Sequence, residues 1–202
     1  LNVSEFSDKQ ANVALGYYLQ ELLNDRKAAS NAKSAKSKSK KNYMFNSPIF
    51  VIIEEAHVFI PKGEDARAKY WATKIAREGR KFGLGLCVVS QRPRNIEPSI
   101  LSKMGSLAVM KMVQEDDQHQ IASASESISR DLIAQLTSLN VGDAVLVGQW
   151  VNLPAIIHID EMKGKIIGSD QNAVDQWTIA KKFENENKAQ AQGTVQKDLL
   201  LD

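Results

Sequence analysis

Phe50–His57 reads FVIIEEAH, and with Ile49 in front the run IFVII is apolar on both faces, β-branched or aromatic, and too short for a helix. Such a run suits a central parallel strand, and two carboxylates, Glu54 and Glu55, follow at its carboxyl end. Working outward, Pro61–Gly63 forms a loop, and Glu64 to Arg80 is predicted to be a helix that buries Tyr70, Trp71 and Ile75 before Gly83 ends the element. Leu84–Ser90 reads as a second apolar strand, Pro93 and Pro98 mark a loop and a helix entry, and Ser106–Val113 is a third strand. Glu115–Leu139 divides into two short helices, and Val141–Ile159 closes with two strands. This alternation predicts an α/β fold, a mostly parallel sheet with an antiparallel hairpin at one edge. Functional groups are then expected beyond the carboxyl ends of the strands.

The flanks are less informative. Ser7 or Asp8 caps a helix running to about Leu23, with Val13, Ala14, Tyr17, Tyr18 and Leu22 near helical spacing, so residues 1–26 are assigned to the folded body. Residues 27–42, KAASNAKSAKSKSKKN, hold six Lys, no acid and no large apolar side chain, and are read as a flexible, solvated insertion. The core is placed at 43–162, and 163–202 is read as a polar extension or arm. The whole chain, at 202 residues and 43% hydrophobic, suffices for one domain with a sizeable core. Its net charge of +2 is the sum of +6 in the insertion and −4 elsewhere, so global charge is no argument for nucleic-acid binding. One cysteine, Cys87, excludes a disulfide framework and suits a reducing, cytoplasmic setting. No apolar stretch approaches the roughly 20 residues of a membrane helix, and the start lacks a signal-peptide core.

Adjacent carboxylates at a strand end suit nucleotide hydrolysis, in which one acid (Glu54) organises a Mg²⁺ shell and the next (Glu55) orients or deprotonates the attacking water. The plain alternative is a strand ending in polar residues because it reaches solvent, and His57 by itself reads as a structural histidine. The second strand ends in Ser90-Gln91-Arg92-Pro93, where Gln91 can accept and donate hydrogen bonds at once and so sense a γ-phosphate or its water. In AREGRKFG, Arg77 and Arg80 stand three apart on one helical face, and Arg80, at the helix end, has the greater reach toward a neighbour's phosphates. Lys62 and Arg67 flank the loop after EEAH, and Arg92, Arg94 and Lys103 surround the loop after Gln91, where basic groups can track DNA phosphate.

These segments, from about Tyr43 to Trp177 and ending in the GDAVLVG–PAIIHI hairpin, resemble the C-terminal half of the motor domain in the HerA/FtsK group of ring-forming DNA translocases, in its archaeal HerA branch. The resemblance implies a RecA-like P-loop core using ATP and Mg²⁺, a hexameric ring on double-stranded DNA, and cooperation with a NurA-type nuclease in end resection. By position it makes Glu54 and Glu55 the Walker B acids, Gln91 the sensor and Arg80 the trans-acting arginine, with Arg77 beside the nucleotide. Glu54 stands where the wider P-loop pattern has Asp. A phosphate loop of the form G-x-x-x-x-G-K-[ST] is missing, since Gly164-Lys165 is followed by Ile166. The isolated chain is therefore expected to lack a complete ATP site, the loop belonging to an absent N-terminal portion. Two other readings remain: a non-catalytic oligomerisation or nuclease-docking module, and a metal-dependent hydrolase using Glu54, Glu55 and His57, which lacks the H-E-x-x-H spacing.

Overall fold

The computed structural model describes residues 5–34, 43–125, 127–163, 177–179 and 181–183. The chain divides into two compact units, Leu1–Asp160 and Glu161–Asp202. In the second, residues 177–179 and 181–183 are helical.

The first unit opens with α1 (Asp8–Ser34). Its start is held by Gln10, whose Oε1 reaches back to accept the Ser7 N–H at 3.1 Å and the Ser7 hydroxyl at 2.9 Å, the returning half of a capping box. The buried stripe is Ala11, Leu19, Leu22, Leu23, Arg26 and Ala29, whereas Val13, Tyr17 and Tyr18 of the expected face are exposed. The helix also does not stop near Leu23. It runs through Lys27 to Ser34 because Ala29 is buried and the Lys27 ammonium is held by Glu78 at 2.9 Å, so the first half of the supposed flexible insertion is ordered helix. Residues 35–42 and most of 163–202 lie outside the described residues.

β1 (Ile49–Ile53) pairs in parallel with β2 (Leu84–Val88), Ile49 opposite Leu84 and Ile53 opposite Val88. Between them lie the one-turn α2 (Ala56–Phe59) and α3 (Arg67–Glu78). α3 buries Ala68, Ala72 and Ile75 against the core; Tyr70, expected inside, is 59% exposed because it leaves the opposite face. α4 (Pro98–Leu101) follows β2. The core of this region joins Leu19, Leu22 and Leu23 to Ile53, Ile60, Ile75, Leu84, Ile96 and Ile100.

β3 (Ser106–Val109), β4 (Asp143–Gly148) and β5 (Ala155–His158) form an antiparallel sheet in the order β3-β4-β5. α5 (Glu115–Ala124) and α6 (Arg130–Gln135) connect its first two strands, and Val109, Ile121, Leu136, Val145 and Val147 make a second core. The α/β class and the closing hairpin are as expected, but the single continuous sheet is not: β1-β2 and β3-β4-β5 are separate among the described residues. Nor is β1 covered on both faces, since Phe50 and Ile52 are 66% and 60% exposed while Ile53 is buried.

Asp25, Arg26 and Lys27 fasten α1 to the far side of the parallel strands. Buried Arg26 donates to the Phe82 carbonyl from Nε at 2.9 Å and from a terminal nitrogen at 2.7 Å, and to the Phe45 carbonyl at 2.9 Å. Asp25 accepts from the backbone N–H groups of Met44 and Phe45. Replacing Arg26 by Met keeps most of the volume but leaves the Phe82 and Phe45 carbonyls without their donor, so Arg26→Met is expected to lower unfolding free energy by about 2–4 kcal/mol in a denaturant titration. The hydrogen bond from Lys27 holds the Glu78 carboxyl below its ordinary value, against a smaller upward push from burial. A depressed folded-state value stabilises above the ordinary glutamate range and is lost as pH falls through it. The melting-temperature gap between wild type and Glu78→Gln should thus be open near pH ~7 and closed by pH ~3.

Candidate active site at the carboxyl ends of the parallel strands

β1 delivers Glu54 and Glu55 into a turn, both exposed, and α2 begins at the next residue. Glu55 has φ 47° and ψ 42°, the left-handed region, and is the single non-glycine at positive φ among the described residues. That conformation costs an L-residue about 1–2 kcal/mol. It persists because its neighbours are pinned: the Val89 N–H donates to the Ile53 carbonyl at 2.9 Å and the Ala56 N–H to the Val89 carbonyl at 2.9 Å, with Ala56 fully buried. The turn carrying the acids is thereby sewn to the end of β2.

Side chains tighten the same seam. His57 Nδ1 lies 3.3 Å from Glu55 Oε2 and 3.0 Å from Ser90 Oγ, and Ser90 Oγ accepts the Arg92 N–H at 3.0 Å. Gln91 sits in that tight turn, exposed, with no side-chain partner among the described residues. Further out, the Lys62 N–H donates to the Asn95 carbonyl and the Glu97 N–H to the Ile60 carbonyl, so the loops after the two strands run as one paired unit. Lys69 closes it, reaching Glu97 and the Pro61 carbonyl at 3.3 Å. Burial pushes the Glu97 carboxyl up, but its bonds from Lys69 and Ser99 leave it below the ordinary value.

Glu54, Glu55 and Gln91 are thus brought to one end of the strands, together with His57, which the sequence reading took for a structural histidine, and Ser90, to which it gave no role. The signal was available: a His two residues past the second acid and a Ser one before the glutamine. Arg77 and Arg80 are elsewhere. Glu78, at φ −128°, ends α3, and Arg80 rides on the following 3₁₀ turn Gly79–Phe82, so the two arginines do not share a helical face. That turn enters β2 at its amino end, and the five residues of the strand separate it from the acids by about 17 Å. Arg80 is exposed and has no partner among the described residues.

The candidate DNA-contacting residues divide. Lys62 and Arg92 present free side chains among the described residues, and Lys62 with Arg94 lines a polar groove of about 440 Å³. Arg94 is committed to Gln114 at 3.1 Å and Asp116 at 3.7 Å, its backbone N–H to buried Asp117. Arg67 stacks on Tyr17 at 3.9 Å and donates to Gln20, and Lys103 binds the Ser99 carbonyl, so both serve internal packing. Among the described residues no group of three or more His, Cys, Asp or Glu is arranged to hold a metal ion. Burial raises the Cys87 thiol above its ordinary value, in keeping with an inert strand residue. Among the described residues no helix is long and apolar enough to cross a membrane.

No protein-family model matches the sequence. Individual proteins do: the DNA double-strand break repair helicase HerA of Saccharolobus solfataricus is 39% identical over 188 residues, 93% of this chain and 35% of that protein. The chain is a homologue of the HerA helicases. A probable HerA of Methanocaldococcus jannaschii is 44% identical over 152 residues, covering 75% of this chain and 30% of its own length. The chain spans about a third of the length of the curated HerA relatives it matches. In structure it resembles the DNA-packaging ATPase of Sulfolobus turreted icosahedral virus, with a TM-score of 0.51, 14% identity, and 72% of this chain and 62% of that one covered, a likeness of fold.

The strain at Glu55 is directly measurable. Glycine adopts φ 47° without a Cβ penalty, so Glu55→Gly is expected to raise unfolding free energy by about 0.5–1 kcal/mol while deleting the carboxylate. A denaturant midpoint that falls would show the turn to be unstrained.

Proposed function

We propose that the chain is the acid-and-sensor portion of an ATP-driven DNA translocase of the HerA kind, built on a RecA-like core and acting on double-stranded DNA. The observation that carries this is the strained Glu55 turn, laced to the Ser90–Arg92 turn by backbone and side-chain hydrogen bonds. It holds a candidate base and a candidate phosphate sensor in one rigid unit, at the end of the sheet where α/β folds place ligands. In this reading Glu55 takes the proton of, or orients, the attacking water, and Gln91 couples the γ-phosphate to the loops that follow.

The phosphate-cradling loop is assigned to polypeptide beyond these residues. The separate β1-β2 and β3-β4-β5 sheets support that assignment, since each has unpaired edges, and Phe50 and Ile52 leave an apolar face uncovered. Glu54, exposed at the strand end, suits a Mg²⁺ that takes one or two protein carboxylates and completes its shell with water and phosphate. Bound there, the ion would neutralise charge developing on the transferred phosphoryl group.

Arg80 supports a ring. It stands at the opposite end of the strands from Glu55, out of reach of its own site, and exposed. In this reading an arginine so placed serves a neighbouring copy's nucleotide, with Arg77 beside it, in a hexamer on DNA. A NurA-type nuclease partner and a part in end resection belong to the same proposal, as does DNA contact by Lys62 and Arg92, with Arg94 and Arg67 demoted by their internal bonds. The module reading, oligomerisation or nuclease docking without catalysis, is favoured for the chain alone by its missing phosphate loop.

The test is duplex-stimulated ATP hydrolysis by the longer protein that carries this chain. Glu55→Gln is expected to lower kcat by ~10²-fold or more while nucleotide still binds. Arg80→Ala should lower it by ~10³-fold. Mixing the two variants should restore activity, because interfaces then form with Glu55 on one subunit and Arg80 on the next. An active Glu55→Gln protein would transfer support to the module reading, and mixtures as inactive as the separate variants would remove the trans role of Arg80.

A further inference from the structure

We propose that His57 is a positioning residue: its Nδ1–H holds the Glu55 carboxylate and the Ser90 hydroxyl together, so that the acid and the Gln91 turn move as one. The inference rests on the reading of Glu55 as the catalytic carboxylate. It begins from hydrogen-bond accounting at one nitrogen. Nδ1 faces Glu55 Oε2 at 3.3 Å and Ser90 Oγ at 3.0 Å, and the ring is 18% exposed. An ionised carboxylate offers only lone pairs, so a lone pair on Nδ1 at that distance would repel it. A proton on Nδ1 reverses the sign: the N–H donates to the Ser90 hydroxyl, and its positive end faces the nearby carboxylate.

The rest of the seam agrees with that assignment. Ser90 Oγ has two acceptor positions, of which the Arg92 N–H takes one at 3.0 Å. The His57 N–H fills the other, which leaves the Ser90 hydroxyl proton directed away from the ring. With the opposite tautomer, Ser90 would donate to Nδ1 and Glu55 would lose its only side-chain partner among the described residues. The geometry therefore offers two arrangements, one with the carboxylate held and one with it released. Because Ser90 precedes Gln91, displacement of the sensor turn toward a phosphate pulls on the same nitrogen that steadies the acid. His57 touches neither nucleotide nor water in this scheme, and acts through Glu55.

The tautomer is read directly by long-range ¹H–¹⁵N correlation on the ¹⁵N-labelled chain at pH ~8.5, two units above the ordinary imidazole value. The expected spectrum has His57 protonated at Nδ1, with that population falling in Glu55→Ala. Protonation at Nε2 in the wild type, or a tautomer indifferent to Glu55→Ala, overturns the proposal. In the hydrolysis-competent longer protein, His57→Asn keeps an N–H near the Nδ1 position and His57→Gln places one near Nε2. We expect His57→Ala and His57→Gln to lose ~10–100-fold in kcat with KM unchanged, and His57→Asn to recover most of it. Equal losses in the Asn and Gln variants overturn the positioning role. If instead Glu55→Gln remains active, the catalytic reading of Glu55 fails, and the tautomer measurement still decides whether His57 holds that side chain.

Discussion

Two backbone hydrogen bonds at the end of the parallel pair, Val89 N–H to the Ile53 carbonyl and Ala56 N–H to the Val89 carbonyl, fix where the candidate acids and Gln91 lie. Parallel pairing alone would align β1 and β2 but leave their exits free to diverge. The second bond carries the ladder one residue beyond the strand, across Glu55, so the acid is trapped between a paired strand and a buried Ala56. A left-handed backbone at a charged residue is then tolerated because both of its neighbours are overdetermined. The side-chain bonds through His57 and Ser90 and the Pro61–Ile96 bridge extend this constraint outward into the loops.

A second fastening acts at the opposite end. Arg26, on the buried stripe of α1, spends its donors on the Phe82 and Phe45 carbonyls, and the adjacent Lys27 pairs with Glu78 and lies 5.2 Å over the Phe82 ring. Gly83, at φ 68°, is packed so closely that a Cβ there would stand 3.0 Å from the Arg26 guanidinium. The 3₁₀ turn bearing Arg80 is thus anchored from beneath by α1, leaving its outward side chain free. A buried guanidinium with carbonyl partners retains its full positive charge, and that charge is spent on fixing backbone direction, where a hydrocarbon would supply packing alone.

Most elements were legible from apolar period and turn residues: IFVII as a strand, Leu84–Val88 as its partner, the Ser7 cap, the split of 115–139 into two helices, the final hairpin. What failed did so for physical reasons. The α1 face was misjudged because Tyr17 and Tyr18 look apolar yet lie outside, Tyr17 receiving the Arg67 guanidinium on its ring. Lys27–Ser34 was given to a loop on composition, although alanine and lysine favour helix and one buried face suffices to hold it. The continuous sheet was inferred from strands apolar on both faces, and those faces are indeed apolar: Phe50 and Ile52 are uncovered among the described residues. For the candidate site, residue types singled out Glu54, Glu55 and Gln91, which lie together at one end of the strands, but no sequence pattern states that Glu55 is left-handed or that one imidazole nitrogen faces both acid and serine.

The separation of Arg80 from Glu55 ties these observations into one argument about assembly. A parallel strand puts its entry and its exit on opposite edges of the sheet, so residues just before β2 and just after β1 cannot meet within one chain. An arginine rigidly mounted at the entry edge, with no internal partner among the described residues, is therefore either idle surface charge or is completed by another molecule. Idle charge would need no buried Arg26 beneath it and no glycine drawn against that guanidinium to set the direction of the turn. In the proposed translocase, head-to-tail packing of identical subunits would provide such completion, the entry edge of one facing the exit edge of the next, and a closed ring would satisfy every copy alike.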